Sequence, residues 1–218
     1  ILQDVGAIRW TPTELHDWLN EGMRTIVTVK PNAKSESVVL PLVAGTKQTL
    51  PAQYITLCAV VRNMGTNGAT PGRAIRTVLD RRILDAQIPD WHDSTKLPFA
   101  PVVQYALQDQ MSTREFYVVP GNTGTGNVEA IVGIIPTPVP APAGALALDI
   151  DNYTATVPLD DIYQGILLDL VLFRAFSKDS AAPDAAGRAQ GHLALANQAI
   201  QALGGAQSLL SMGNTAGK

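Results

Sequence analysis

The stretch "DDIYQGILLDLVLFRAFSKD", residues 160 to 179, has the spacing of one helix but no polar stripe. Ile162, Ile166, Leu170 and Phe173 follow one face, and Leu168, Leu172 and Phe176 follow another. Tyr163, Leu167 and Val171 fill much of the arc between them. A helix that is apolar most of the way round is covered on more than one side. Such a segment calls for a bundle, an interface, or both. Leu168, Leu172 and Phe176 are therefore candidates for contact with a second subunit or a partner. A helix buried wholly in its own chain would use the same three residues as core, and periodicity does not separate the two.

Two further stretches can supply the cover. In "RWTPTELHDWLNEGMRTIVTVKP", Thr11 is a helix cap, Pro12 suits the first helical position, and Glu14 stands where it can reach back to the cap. Trp10 is placed to staple onto Leu15. Leu15, Trp18, Leu19, Met23, Ile26 and Val27 recur at three- and four-residue steps, and Pro31 stops the helix. After Pro183, Ala186, Ala189, Leu193, Ala196, Ile200 and Leu203 form a narrow stripe that Gly204 and Gly205 are expected to end. Gly187 and Gly191 lie one turn apart, and close approach of another backbone would offset their cost. Residues 205–218 then read as an aperiodic tail.

The middle of the chain changes period. "SVVLPLVAGTKQTLP" and "AQYITLCAVVRNMG" are rich in β-branched residues and bounded by Gly, Pro and Asn, as strands are. "RAIRTV", "VVQYALQD", "REFYVVPG" and "NVEAIVGIIP" add further strands, with a short helix in "LDRRILDAQIPDWHD". The predicted class is α+β: a helical bundle, made of the first helix and a C-terminal helical hairpin, with an inserted antiparallel β-rich module. The predicted divisions are 1–34 for the first helix and 35–157 for the module. Residues 158–204 form the hairpin and 205–218 the tail. Pro136, Pro138, Pro140 and Pro142 mark a linker or exposed arm at 136–144 that cannot join a central strand.

Composition removes several functions. Net charge is −3, so no broad basic field exists to hold phosphate backbones. Arg73, Arg76, Arg81 and Arg82 are the densest basic cluster. They are candidates to line a channel that DNA passes, or else to face solvent or an acidic neighbour. The single cysteine, Cys58, allows no disulfide within the chain and reads as a small buried residue. No secretory signal or membrane span is visible, so a soluble protein, cytoplasmic where made, is expected.

Chemistry finds no constellation. His16, His92 and His192 stand far apart in the sequence and in unlike contexts, with no paired-ligand spacing. "GNTGTGN" lacks the Gly-Lys-Ser/Thr of a phosphate loop and lies between strands, so it reads as a mobile hairpin tip. Asp149 and Asp151 have no third acidic partner at calcium-loop spacing, and Asp160 and Asp161 suit a helix start. Asp169 and Arg174 are either paired or solvent-facing. No cofactor is implied.

Three stretches taken in order carry a resemblance. "RWTPTELHDWLNEGMRTIVTVKP" is the first. "VVRNMG…PGRAIRTVLDRRILDAQIPDWH" with "EFYVVPG" is the second. "PLDDIYQGILLDLVLFRAFSKDS…AAGRAQGHLALANQAI" is the third. Together they resemble the head-to-tail adaptor proteins of tailed bacteriophages, in particular the short-tailed phage type called tail tubular protein A. The resemblance spans all but the C-terminal tail. It implies a structural protein of the virion, assembled in the host cytoplasm and placed at the head–tail junction. It implies a ring, usually twelve-fold, that docks beneath the portal, extends the DNA channel and receives the tail tube or nozzle, with tail fibres as a further partner. DNA would be passing cargo, and no membrane is involved. The C-terminal segment of such adaptors enters the portal, which puts Ser208, Leu209, Leu210 and Met212 in the docking tail. The competing readings are another head- or tail-completion protein and a small hydrolase.

Overall fold

Thr11 opens the first helix, α1 (Pro12–Val29), and the expected capping box is present. The Glu14 amide donates to the Thr11 hydroxyl at 3.3 Å, and the Thr11 amide donates to the Glu14 carboxylate at 3.1 Å. Two amides that lack intrahelical partners are thereby satisfied. The computed structural model describes residues 4, 6–78, 80–108, 111–179 and 183–213, with side chains as far as 204. Met23, Ile26 and Val27 are buried, whereas Leu15, Trp18 and Leu19 are only partly covered. Trp10 reaches another helix. Its indole N–H donates to the Ala175 carbonyl at 2.9 Å, and its ring meets Phe176 edge-on at 6.3 Å. Ala175 lies in the last turn of α3 (Gln164–Lys178), where carbonyls lack helical partners and accept what reaches them.

α3 is covered by α1 on one side and by α4 (Ala185–Gly213) on another. Leu167 presses on α1 at Gly22, where a Cβ would stand 2.8 Å from Leu167 Cδ1. Leu172 and Phe176 join Ala189 in a buried cluster with Phe173 against it. These two, expected as candidates for partner contact, are thus already core of their own chain, because α4 lies over that face. Leu168 is the exception and stays 47 % exposed. The charges on α3 pair with neighbouring helices: Arg174 with Glu21, Lys178 with Glu14 at 2.6 Å, and Asp169 with His192 at 2.9 Å.

Two expectations about α4 change. Gly204 does not adopt the left-handed conformation that closes a helix, and the helix runs on to Gly213. Around Gly187 and Gly191 a Cβ would meet nothing within 4 Å among the described residues. The Pro-rich stretch also behaves differently. The Val139 amide donates to Asn20 Oδ1 at 2.8 Å, and its carbonyl accepts from His16 Nε2 at 2.8 Å. Val139 stands between prolines that have no N–H, so its own peptide groups tie the stretch to α1. Residues 136–157 accordingly group with the helices. One compact unit comprises Ile1–Ala33 and Pro136–Lys218, and the other is Lys34–Ile135.

Among the described residues, the second unit holds eight strands: β1 (Ser35–Pro41), β2 (Gly45–Thr49), β3 (Tyr54–Met64), β4 (Pro71–Ala74), β5 (Arg76–Thr77), β6 (Tyr105–Gln108), β7 (Glu115–Asn122) and β8 (Asn127–Ile134). α2 (Arg81–Gln87) lies between β5 and β6. The strands make two four-stranded sheets, in the orders β1-β8-β3-β4 and β2-β7-β6-β5. All pairs are antiparallel except β5 with β6. Leu40, Leu57, Val60, Val128, Ala130 and Val132 of one sheet share a core with Ala106, Phe116 and Val118 of the other. Two layers closing on one apolar filling is how sheets with a single buried face become stable. Cys58 is exposed, contrary to the sequence expectation. The register of β3 on β8 shifts between Leu57 and Ala59, and this bulge turns the Cys58 side chain out of the alternation.

Candidate functional site: an apolar groove on the helical unit

Three segments of the helical unit surround a groove of about 610 Å³. α1 contributes Pro12, Leu15, His16 and Leu19. The segment that precedes α3 contributes Val139, Ile150, Tyr153, Ala155 and Val157, and α3 contributes Gln164, Leu167, Leu168, Val171 and Leu172. Helical spacing brings each set to one face, and the anchored Val139 holds the middle segment across them. Two short 3₁₀ turns, Gly144–Leu148 and Ile150–Asn152, set Ile150 and Tyr153 at the margin. The Tyr153 hydroxyl donates to the Ala147 carbonyl at 3.1 Å, which keeps its ring against that of His16, 5.4 Å between centroids.

The few polar groups here are structural. His16 Nε2 donates to the Val139 carbonyl oxygen, while Nδ1 is buried, makes no hydrogen bond among the described residues and has the Asp17 carboxylate 3.5 Å away. His16, Tyr153 and Gln164 are the polar side chains that line the groove. The arrangement is made to take up apolar side chains. Around it Leu146, Leu148, Ile150, Ile162 and Leu168 are all exposed. Exposed large apolar residues gathered around a cleft mark a contact surface. The segment from residue 136 to residue 163 carries acidic groups only. Asp149, Asp151, Asp160 and Asp161 are exposed, and residues 115–173 contain no Lys or Arg.

Of the residues singled out in the sequence, the groove includes Leu168 and Leu172, although Leu172 is only 2 % exposed. Phe176 lies in the α3–α4 cluster. The arginines belong to the β unit. Arg73 is on β4 and Arg76 on β5, both edge strands, while Arg81 and Arg82 begin α2. All four are exposed. Arg81 is engaged: its guanidinium lies 5.4 Å from the Tyr117 ring centre and 3.5 Å from the Asp85 carboxylate. The side chains of Ser208, Leu209, Leu210 and Met212 lie outside the described residues, although the α4 backbone is helical through them. The sequence reading missed Val139, Ile150 and Tyr153. The available signal was "ALALDID", in which large apolar residues alternate with small or acidic ones.

Among the described residues, no group of three His, Cys, Asp or Glu side chains is placed to hold a metal ion. No helix among them is long and apolar enough to cross a membrane. No curated protein matches the chain. A family model described as SU10 adaptor protein matches residues 1–216. That span includes all three stretches that carry the resemblance to phage head-to-tail adaptors, together with both structural units. The chain belongs to the SU10 adaptor protein family.

Proposed function

We propose that the chain is a structural protein of the virion that forms a ring, twelve-fold in the usual adaptor arrangement, between the portal and the tail tube or nozzle, and so extends the DNA channel. Membership of an adaptor family across residues 1–216 carries this reading. Two features of the fold support it. The groove and its exposed apolar margin are surface that an assembled protein covers. In addition, α4 has 29 residues against 15 in α3, so it is longer by roughly 20 Å. A helix of that length suits insertion into a partner.

On this reading, residues 205–218 dock into the portal, with Ser208, Leu209, Leu210 and Met212 as contacts. The role needs binding surfaces and no catalysis. The test compares the full chain with a chain ending at residue 204 for retention of the purified portal protein encoded in the same genome. Truncation is expected to lower retention at least tenfold while the circular dichroism of the remaining fold persists. Equal retention by both chains would remove the tail from the docking mechanism.

A further inference from the structure

The groove needs an occupant that is apolar at its tip and positively charged around it. Its floor is largely aliphatic, and the segment from residue 149 to residue 161 carries four exposed aspartates, with Lys30 the base near its end, 5.8 Å from the Tyr163 ring. The same chain carries an apolar tip with arginines around it on its β unit, where Asp80, which caps α2, and Asp85, 3.5 Å from Arg81, offset part of the charge. α2 is a seven-residue helix of which only Leu84 is buried, so the rest stands out from the surface. Ile83 is 52 % exposed at its outer side. Arg81 and Arg82 precede it, and the exposed Arg73 and Arg76 lie on the two edge strands that lead into it. Among the described residues, the side chains of Arg73, Arg76 and Arg82 make no ion pair.

We infer that the groove is the subunit contact: it receives Ile83 of a second copy of this chain, with the neighbour's arginines over the aspartates beside it. This rests on the ring-forming reading above and names the surfaces that make the ring. The contact is heterologous, groove to knob, and each copy keeps one of each free for the next neighbour. That is the requirement for a closed ring instead of a two-fold dimer. Opposite charge around an apolar centre fixes orientation and speeds encounter more than it adds affinity. The arginine cluster then faces a neighbouring subunit and not the DNA channel.

A cysteine-pair experiment tests this on the full chain. One protein carries Cys58→Ser and Leu168→Cys, and a second carries Cys58→Ser and Ile83→Cys. Both new cysteines replace exposed side chains, so the fold is retained. The two are mixed in equal amounts at low salt and mildly oxidised. Random collision makes twice as much mixed disulfide as either homodimer. The inference predicts a several-fold excess of the mixed species over that ratio. The excess should shrink at high salt, and also when Asp160→Asn and Asp161→Asn are added to the groove partner. A random ratio at low salt, or a preference for either homodimer, overturns the inference. Portal retention is a separate measurement, so failure of this contact and failure of the adaptor reading are distinguishable.

Discussion

Asn122 is fully buried, and its carboxamide makes four hydrogen bonds. It donates to the carbonyls of Ala100 and Pro101, both at 3.1 Å, and accepts from the amides of Gly124 at 2.8 Å and Gly126 at 3.1 Å. The "GNTGTG" tip, expected to be mobile, is therefore pinned from within. Replacing Asn122 by Ala leaves these buried groups without partners, and the denaturant midpoint should report a loss of about 3 kcal/mol. A loss below about 1 kcal/mol would mean that the turn holds its shape without the side chain. Glu14 allows a pH test. The Lys178 ammonium, and then the Thr11 amide, hold its carboxyl below the ordinary value of 4.5. A lowered folded pKa contributes stability above that ordinary value, and the contribution is lost as pH falls through the folded one. Glu14→Gln should therefore lose less stability than the parent as pH falls below 4.5. Parallel acid profiles for the two proteins would show that the contact adds nothing.

Helix–helix packing explains which glycines matter. Gly22 of α1 was not singled out in the sequence, yet Leu167 of α3 occupies the space a side chain would need. Gly187 and Gly191 were singled out, and among the described residues they face open space. Gly22→Val should cost about 2 kcal/mol by overpacking. Gly187→Ala and Gly191→Ala should each stabilise the free chain by up to about 1 kcal/mol, because alanine is the better helix former. Thermal midpoints of the three variants check both statements, and a destabilising Gly187→Ala would place a packed neighbour on that side. The difference shows what periodicity reveals. Capping, stripes and strand runs are local, so α1, α3 and the strands were legible from Thr11, Pro12, Leu170 and "YITLCAVV". Contacts between elements are not local. Which helix meets Gly22, that α4 continues past Gly204, and that a bulge exposes Cys58 all depend on partners distant in sequence. The groove was half legible for the same reason: Leu168 stood out on its helix, but Ile150 and Tyr153 become part of a site only once Val139 is fastened to α1.

At the scale of the molecule, the chain is one continuous β unit set into a split helical unit. The two ends of the insertion meet: the Ile134 amide donates to the Lys34 carbonyl at 3.0 Å. A segment with its own core and adjoining ends can fold alone. Residues 34–135, expressed separately, should therefore unfold in a single cooperative denaturant transition, and a chain without a transition would show that the helices are needed for the sheets to form. The helical unit supplies the groove and the long α4, the surfaces on which assembly depends in this account. On the proposed function, these surfaces build a ring on the portal. Electron microscopy of the purified chain mixed with the portal protein from the same genome tests it most directly. A ring stacked coaxially on the portal is expected, with one subunit's α2 against the next subunit's groove. Portals that remain bare at saturating concentrations of the chain would contradict it.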